Sequence, residues 1–552
     1  MPTRFSLDLM QDKRGSVMIL AAFSIIILVA LMMGVLTISQ VSLAKRQLQS
    51  ACDASVLATR KAFSQPAEFN QATLEGQKYF AISFPHGAYG NQSAQITLTL
   101  VDAYEVKGEA RATLENLAGF AGGAATRDIT ASCAARMDLP NLDVMFAFDT
   151  TLSMINTDPG ESLSRIDGAR AAVMDFYDKA MQFKSPDVRV RIGFVPFSEN
   201  VNVGRLLRKE WMVDQWTYQS RQYAGTVTAA DGTPRYLFRY APITYDVSAL
   251  KGDASSPYMN GSSIIAPNMG LTNGTVYDPV VNWAGCIEER DTHPYWYWNS
   301  VASLLTQPDM DIDTIPYNDA TRWRPSLPGL IYWRKFVTDS NWSAEAGFSS
   351  AEITTYKYMR QVPQGASVCP APSKKLSVMS RQELQDYMAN LVPDGATYLD
   401  VPVIWAAKLL SPTGLFQDEN QTAPNNGPIS RHLILLTDGE IAAGWPHYTA
   451  YGVPALDQRN ISVYHIGWGP AGHLYEHVSS LNSNTAYRMK AACEAARRKG
   501  ITVWAIAFST SMNQSLINCA GRDHAIAAAN AQELDAALLD ILTKIARLRL
   551  VQ

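Results

Sequence analysis

The stretch "LDVMFAFDTTLSM", Leu142 to Met154, runs a mostly apolar segment into an aspartate that is followed at once by hydroxyls. A short apolar run closed by polar turn chemistry is the pattern of a strand buried on both faces. Asp149, Thr151 and Ser153 stand at alternate positions, so a tight turn after the strand aims their oxygens at one point. Outward from it, "SLSRIDGARAAVMDFYDKAM" reads as an amphipathic helix and "VRVRIGFVPF" as a second strand. After a long gap the alternation resumes with helices at "SRQELQDYMANL" and "YLDVPVIWAAKLL" and the strand "RHLILLTDG". A helix at "NTAYRMKAACEAARRKG", the strand "ITVWAIAFS" and a last helix over "AQELDAALLDILTKIARLRL" complete it. Such alternation builds a parallel sheet, so the expected class from Pro140 onward is α/β. The gap, 205–373, holds eight of the twelve tryptophans without a sustained helical or strand period. So many aromatics predict an ordered insertion, splitting the domain into 140–204 and 374–552.

In an open parallel sheet, ligands gather beyond the carboxyl ends of the strands. Asp438 closes the strand "HLILLT", and Thr397 sits in "PDGATYLD", the loop before a helix. Oxygen ligands without a nearby His or Cys suit Mg2+, Mn2+ or Ca2+ and disfavour zinc.

"DTTLSM", Thr397 and "TDG" resemble the metal-ion-dependent adhesion site of von Willebrand factor A domains. That resemblance implies a doubly wound parallel sheet and a divalent cation, Mg2+ foremost, held by Asp149, Thr151, Ser153, Thr397 and Asp438. It further implies a protein or surface ligand whose acidic side chain fills an open coordination position. Thr151 keeps a hydroxyl where serine is usual. Leu152 stands where glycine is common and is expected to narrow access.

Upstream, Val17 to Leu36 are twenty residues without a charge, enough for a helix to cross a bilayer core of about 30 Å. Residues 1–16 are then a cytoplasmic tail and 17–36 a transmembrane helix. Helical pattern continues from Thr37 to about Phe84 as one long helix. The period-2 runs "AQITLTLV", "YEVKGEARATLE" and "RDITASCAARM" follow as a small sheet ending near residue 139. "RGSVMILAAFSIIILVAL" and "LQSACDASVLATR" resemble the TadE/TadG proteins of Tad (Flp) pilus systems, and "WAGCIEER" and "GATYLDVPVIWAAKLLSP" resemble their A-domain-bearing subgroup. This implies a single-pass protein of the bacterial inner membrane, its large part periplasmic or displayed, working with pilus subunits or assembly proteins. Leu20 stands where a prepilin processing site carries glutamate, so processing into a filament subunit is not expected.

A net charge of −4 gives no electrostatic reason to expect nucleic acid. The six cysteines form no C-x-x-C pair. Cys493 and Cys519 flank one strand and Cys286 and Cys369 both lie in the insertion, so these two pairs are expected; Cys52 and Cys133 pair or stay free. Such bonds persist outside a reducing cytosol. Two rival constellations remain. "HLYEH" offers His473, Glu476 and His477 in the H-x-x-E-H order of inverted zinc proteases, a zinc-hydrolase alternative. Asp309, Asp311 and Asp313 have EF-hand spacing but lack its glycine and terminal glutamate. With no G-x-S-x-G or P-loop, the expectation is recognition and not catalysis; a purely structural assembly factor is the alternative.

Overall fold

The computed structural model describes residues 14–63, 66–102, 105–115, 125–228, 230–292, 301–334, 359–361, 367–443, 447–461, 466–468, 474–476 and 478–551. The chain divides into two compact units, Met1–Leu139 with Thr543–Gln552, and Pro140–Leu542.

In the first unit, helix α1 (Arg14–Lys61) begins with an exposed apolar stretch long enough to cross a membrane. Its later half buries Ala44, Leu48, Ala51, Cys52 and Val56. The single helix expected from Thr37 to Phe84 is instead two. α2 (Phe69–Ser83) runs back along α1, with Gln47 donating to the Ser83 carbonyl and Ser55 to that of Gly76. Pro66 opens the short turn before α2, and proline cannot continue a helix. Gly76 permits the close approach, since a Cβ there would meet the Thr59 hydroxyl. The sheet is antiparallel, β1 (Asn91–Asp102), β2 (Glu105–Glu115) and β3 (Thr126–Asp138), and α1 packs on it. Cys52 and Cys133 are bonded, pinning helix to sheet.

A fourth strand, Arg547–Val551, pairs antiparallel with β3, Arg547 opposite Asp138. This corrects two expectations: the last helix stops at Ile545, and the final residues do not belong to the sheet domain. The alternation Arg-Leu-Arg-Leu-Val is a strand's period, and with β3 it completes an edge.

The second unit is built on a sheet of six strands. β4 (Asn141–Asp149) and β5 (Val190–Phe197) are joined by α3 (Arg165–Phe183). Lys374–Ser377 lies antiparallel on the outer edge of β5, while Ile429–Thr437, Ile501–Phe508 and Ala525–Ala528 follow β4 on its other side, all parallel. The chain thus starts in the middle, turns to one side, and later returns to the other. Both faces are covered. Phe146 meets Phe176 of α3 edge-on at 5.6 Å, whereas Met145 and Ala147 share a core with Val403 and Ile404 of helix Asp400–Leu410 and with Ala492 of helix Val478–Arg498. Parallel strands buried on both faces read as continuous apolar runs, as β4 does.

The described residues of the insertion, 205–373, share this core and form no separate body. Trp323 lies 5.0 Å from Trp405, and both indoles donate to Glu289. It also contains a long hairpin, Gln215–Thr228 with Pro234–Asp246, where no strand was expected. Burial along its first strand does not alternate, so hydrophobicity left no period to read. Cys286 is bonded to Cys369 and Cys493 to Cys519.

Candidate metal centre

Because β4 sits between β5 and Ile429–Thr437, the sheet's order reverses beside it, and loops leaving β4 and its neighbour diverge to opposite faces. Asp149 ends β4 and Asp438 follows Thr437 at the same edge. Asp149 is fully buried. One carboxylate oxygen accepts from the Thr151 amide at 2.8 Å, the other from the Thr437 hydroxyl at 2.6 Å. Ser153 donates to Asp438 Oδ1 at 2.7 Å and stands 3.1 Å from the Thr151 hydroxyl. Four of the five expected ligands therefore form one hydrogen-bonded cluster.

Thr397 joins through its loop. The Leu152 amide donates to the Gly395 carbonyl at 3.0 Å, the Asp394 amide to that of Thr150 at 2.8 Å, and the Ala442 amide to that of Thr397 at 3.1 Å. The loop is thereby stitched to both turns, and the Thr397 hydroxyl lies beside Gly439. Leu152 is 52 % exposed.

Burial, with the neighbouring Asp438 carboxylate second, pushes the Asp149 carboxyl up to about 7; hydrogen bonds from Thr151 and Thr437 act the other way. Two carboxylates that share a dry site repel unless a cation joins them. The donors present are hydroxyls and carboxylates, so the set fits a hard divalent cation. No group of three or more His, Cys, Asp or Glu suited to a metal occurs among the described residues.

One competitor was not foreseen. Arg165 opens α3, its Nη1 donating to Asp438 Oδ2 at 2.9 Å while Nε and Nη2 grip Asp158. This pairing holds the Asp158 carboxyl below its usual range. A cation in the first turn of a helix opposes the helix dipole, and that oddity in "LSRID" was the available signal. Thr437, quoted within "TDG" but given no role, is the second residue missed.

The rivals come apart. Asp309 pairs with Arg488, Asp311 caps the amides of Asp313 and Thr314, and Asp313 accepts from Ser411 and Thr413, so the three acids face different partners and form no calcium loop. Of "HLYEH", His473 and His477 lie outside the described residues; Glu476 belongs to a short strand, Leu474–Glu476, where the zinc motif needs a helix.

Residues 15–61 match the family described as "Putative Flp pilus-assembly TadE/G-like". None of the curated proteins matches the chain. Among solved structures, the von Willebrand factor domain of the type V pili tip protein Mfa5 from Porphyromonas gingivalis is 10% identical, with 74% of this chain and 95% of that one covered and a TM-score of 0.30. The adhesive tip pilin GBS104 from Group B Streptococcus agalactiae is 10% identical, over 73% of this chain and 99% of that one, at 0.27. The proximal thread matrix protein 1 of the mussel byssus is 9% identical at 0.27, over 76% of this chain; the chain spans about half, 50%, of that protein's length. At these scores the likeness carries no argument, and the sheet described above stands on its own strand order. The N-terminal segment, 15–61, is thus similar to a pilus-assembly family.

Proposed function

We propose that this chain is a membrane-anchored component of a Tad (Flp) type pilus system. Its sheet domain, of von Willebrand factor A type, binds a protein or surface ligand through a divalent cation at Asp149, Thr151, Ser153, Thr397 and Asp438. The observation that carries this reading is the Asp149–Thr151–Ser153–Asp438 cluster at the edge where the sheet's order reverses. Two parallel strands deliver two buried carboxylates and two hydroxyls to one place, and among the described residues no cationic side chain pairs with Asp149. A divalent cation there supplies an acceptor for a partner's acidic side chain. Mg2+ is the hard cation best suited to the set, with Mn2+ and Ca2+ as alternatives. The apolar start of α1 supports an inner-membrane anchor, and three disulfides support a large part that is periplasmic or displayed. The family match over 15–61 supports pilus subunits or assembly proteins as partners.

Arg165 favours a second reading. Its guanidinium already supplies Asp438 with positive charge, as a metal-free assembly factor would require. Calorimetry on the full chain in detergent, titrated with Mg2+ or Mn2+, separates the two. Saturable binding lost in Asp149→Ala is expected, and indistinguishable titrations of both proteins remove the metal from the proposal. In cells, Asp438→Ala is expected to abolish attachment while pili still assemble; loss of the pili themselves supports the assembly-factor reading.

A further inference from the structure

On the insertion, away from the acidic cluster, Arg221 lies between two aromatic rings, 4.4 Å from the centroid of Phe238 and 4.3 Å from that of Tyr332. Its Nε donates to the Met269 carbonyl at 3.1 Å. The guanidinium is therefore fixed in plane and in rotation. Its two terminal nitrogens make no hydrogen bond, and no carboxylate pairs with it, among the described residues. Three other arginines of this domain do meet acids: Arg191 forks onto Asp143, Arg459 reaches Glu288, and Arg488 bridges Asp309 and Asp400. A rigid guanidinium without an acid beside it is prepared for one supplied from outside.

Arg221 lines a cleft of about 290 Å3, with Leu271, Tyr277, Val280 and Tyr332 among its walls. That volume lies at the lower end of small-ligand sites, and it suits a group the size of one or two residues. The cleft is open, with apolar side chains exposed beside it. Val280 and its cross-strand neighbour Ile265 are each 64 % exposed. Two of the walls are strands, Gly270–Thr272 and Val280–Asn282, and among the described residues each belongs to a sheet of only two strands. Such strands keep one edge of main-chain groups that an extended chain can pair with. We infer that this cleft binds the carboxylate of an extended peptide, with Arg221 as the bidentate anchor and Tyr277 and Val280 contacting the residue that carries it. This is a second recognition site, which requires no metal.

Saturation-transfer NMR on the full chain in detergent, with acetyl-Ala-Leu as a free acid and as its amide, tests it. The acid is expected to bind at least tenfold more tightly than the amide, and to lose at least tenfold in Arg221→Gln. Should that variant fold poorly by circular dichroism, Val280→Glu decides, since a carboxylate on the exposed rim repels the ligand without touching the core; the same loss is expected there. Asp149→Ala is expected to leave binding unchanged, so failure of the metal centre and failure of this cleft are told apart. Equal binding of acid and amide, undiminished binding in a folded Arg221→Gln or Val280→Glu, or binding of sialic acid with none of the dipeptide, overturns the inference.

Discussion

Strand β4 carries a buried aspartate at each end, and the two are treated in opposite ways. Asp143, near the start, receives the fork of Arg191 at 2.8 and 2.7 Å, with Arg189 close behind at 3.8 Å. Asp149, at the close, receives an amide and a hydroxyl, and its nearest charged neighbour is another carboxylate. Depth is the same, since both are 0% exposed. What differs is where the compensating charge comes from. At the amino end the chain supplies it and the pair is part of the scaffold. At the carboxyl end the chain supplies hydroxyls, which orient a carboxylate without neutralising it.

The comparison can be broken most forcefully at Asp143. Replacing it with alanine leaves Arg191 buried without its partner, which costs about 3 to 5 kcal/mol; urea unfolding of Asp143→Ala measures it, and a loss under 1 kcal/mol would put the two aspartates on an equal footing. A second effect, at the amino half, is pH. His432 accepts from the Trp504 indole at 3.1 Å, and burial, then the charge of His524, pushes its pKa from 6.5 down to about 4. The native state therefore refuses a proton that the unfolded chain takes up below about 6.5. Stability is full above that pH and falls by about 3 kcal/mol as pH drops toward 4, a slope that His432→Gln should flatten in denaturation at pH 7 and pH 4.5.

The carboxyl end predicts smaller changes. If Asp149 is completed by a cation, Mn2+ at about a hundred times its Kd raises the unfolding free energy by about 2.7 kcal/mol, an increment absent from Asp149→Asn. Without metal the same substitution removes a carboxylate that burial disfavours. Its expected effect is within about 1 kcal/mol of wild type, on the stabilising side. Thermal unfolding with and without chelator reads both, and a large loss in chelator would make Asp149 a scaffold residue like Asp143.

Much of this was legible because it obeys period. β4 and its parallel neighbours are mostly apolar runs, and Asp149 and Asp438, which close two of them, announce the edge where ligands gather. Arg165 was not legible as a partner of Asp438, since the contact joins residues far apart in sequence and only the fold brings the turn to the helix start. The first strand of the hairpin, 215–228, hid because its burial is confined to one short run, Tyr218 to Ser220, which erases alternation. The strand at Arg547–Val551 had the right alternation but followed a helix without a break, and a helical period absorbed it. Pro66 stood in view, yet the break it opens became a return along α1 only when packing was known.

That last strand bears on the order in which the molecule is made. Asp138 waits for Arg547, so this edge of the first sheet cannot pair until the whole of the intervening domain has been synthesised. Pairings of such sequence separation are slow, because the ends must find each other after the loop between them has formed. Until then β3 presents an unpaired edge, an open template for other chains. A chain stalled in the middle would carry the whole of that edge as a mark of incompleteness, readable by proteases and chaperones; pairing with Arg547–Val551 covers Ala134–Asp138 and leaves a strand of five residues as the edge there.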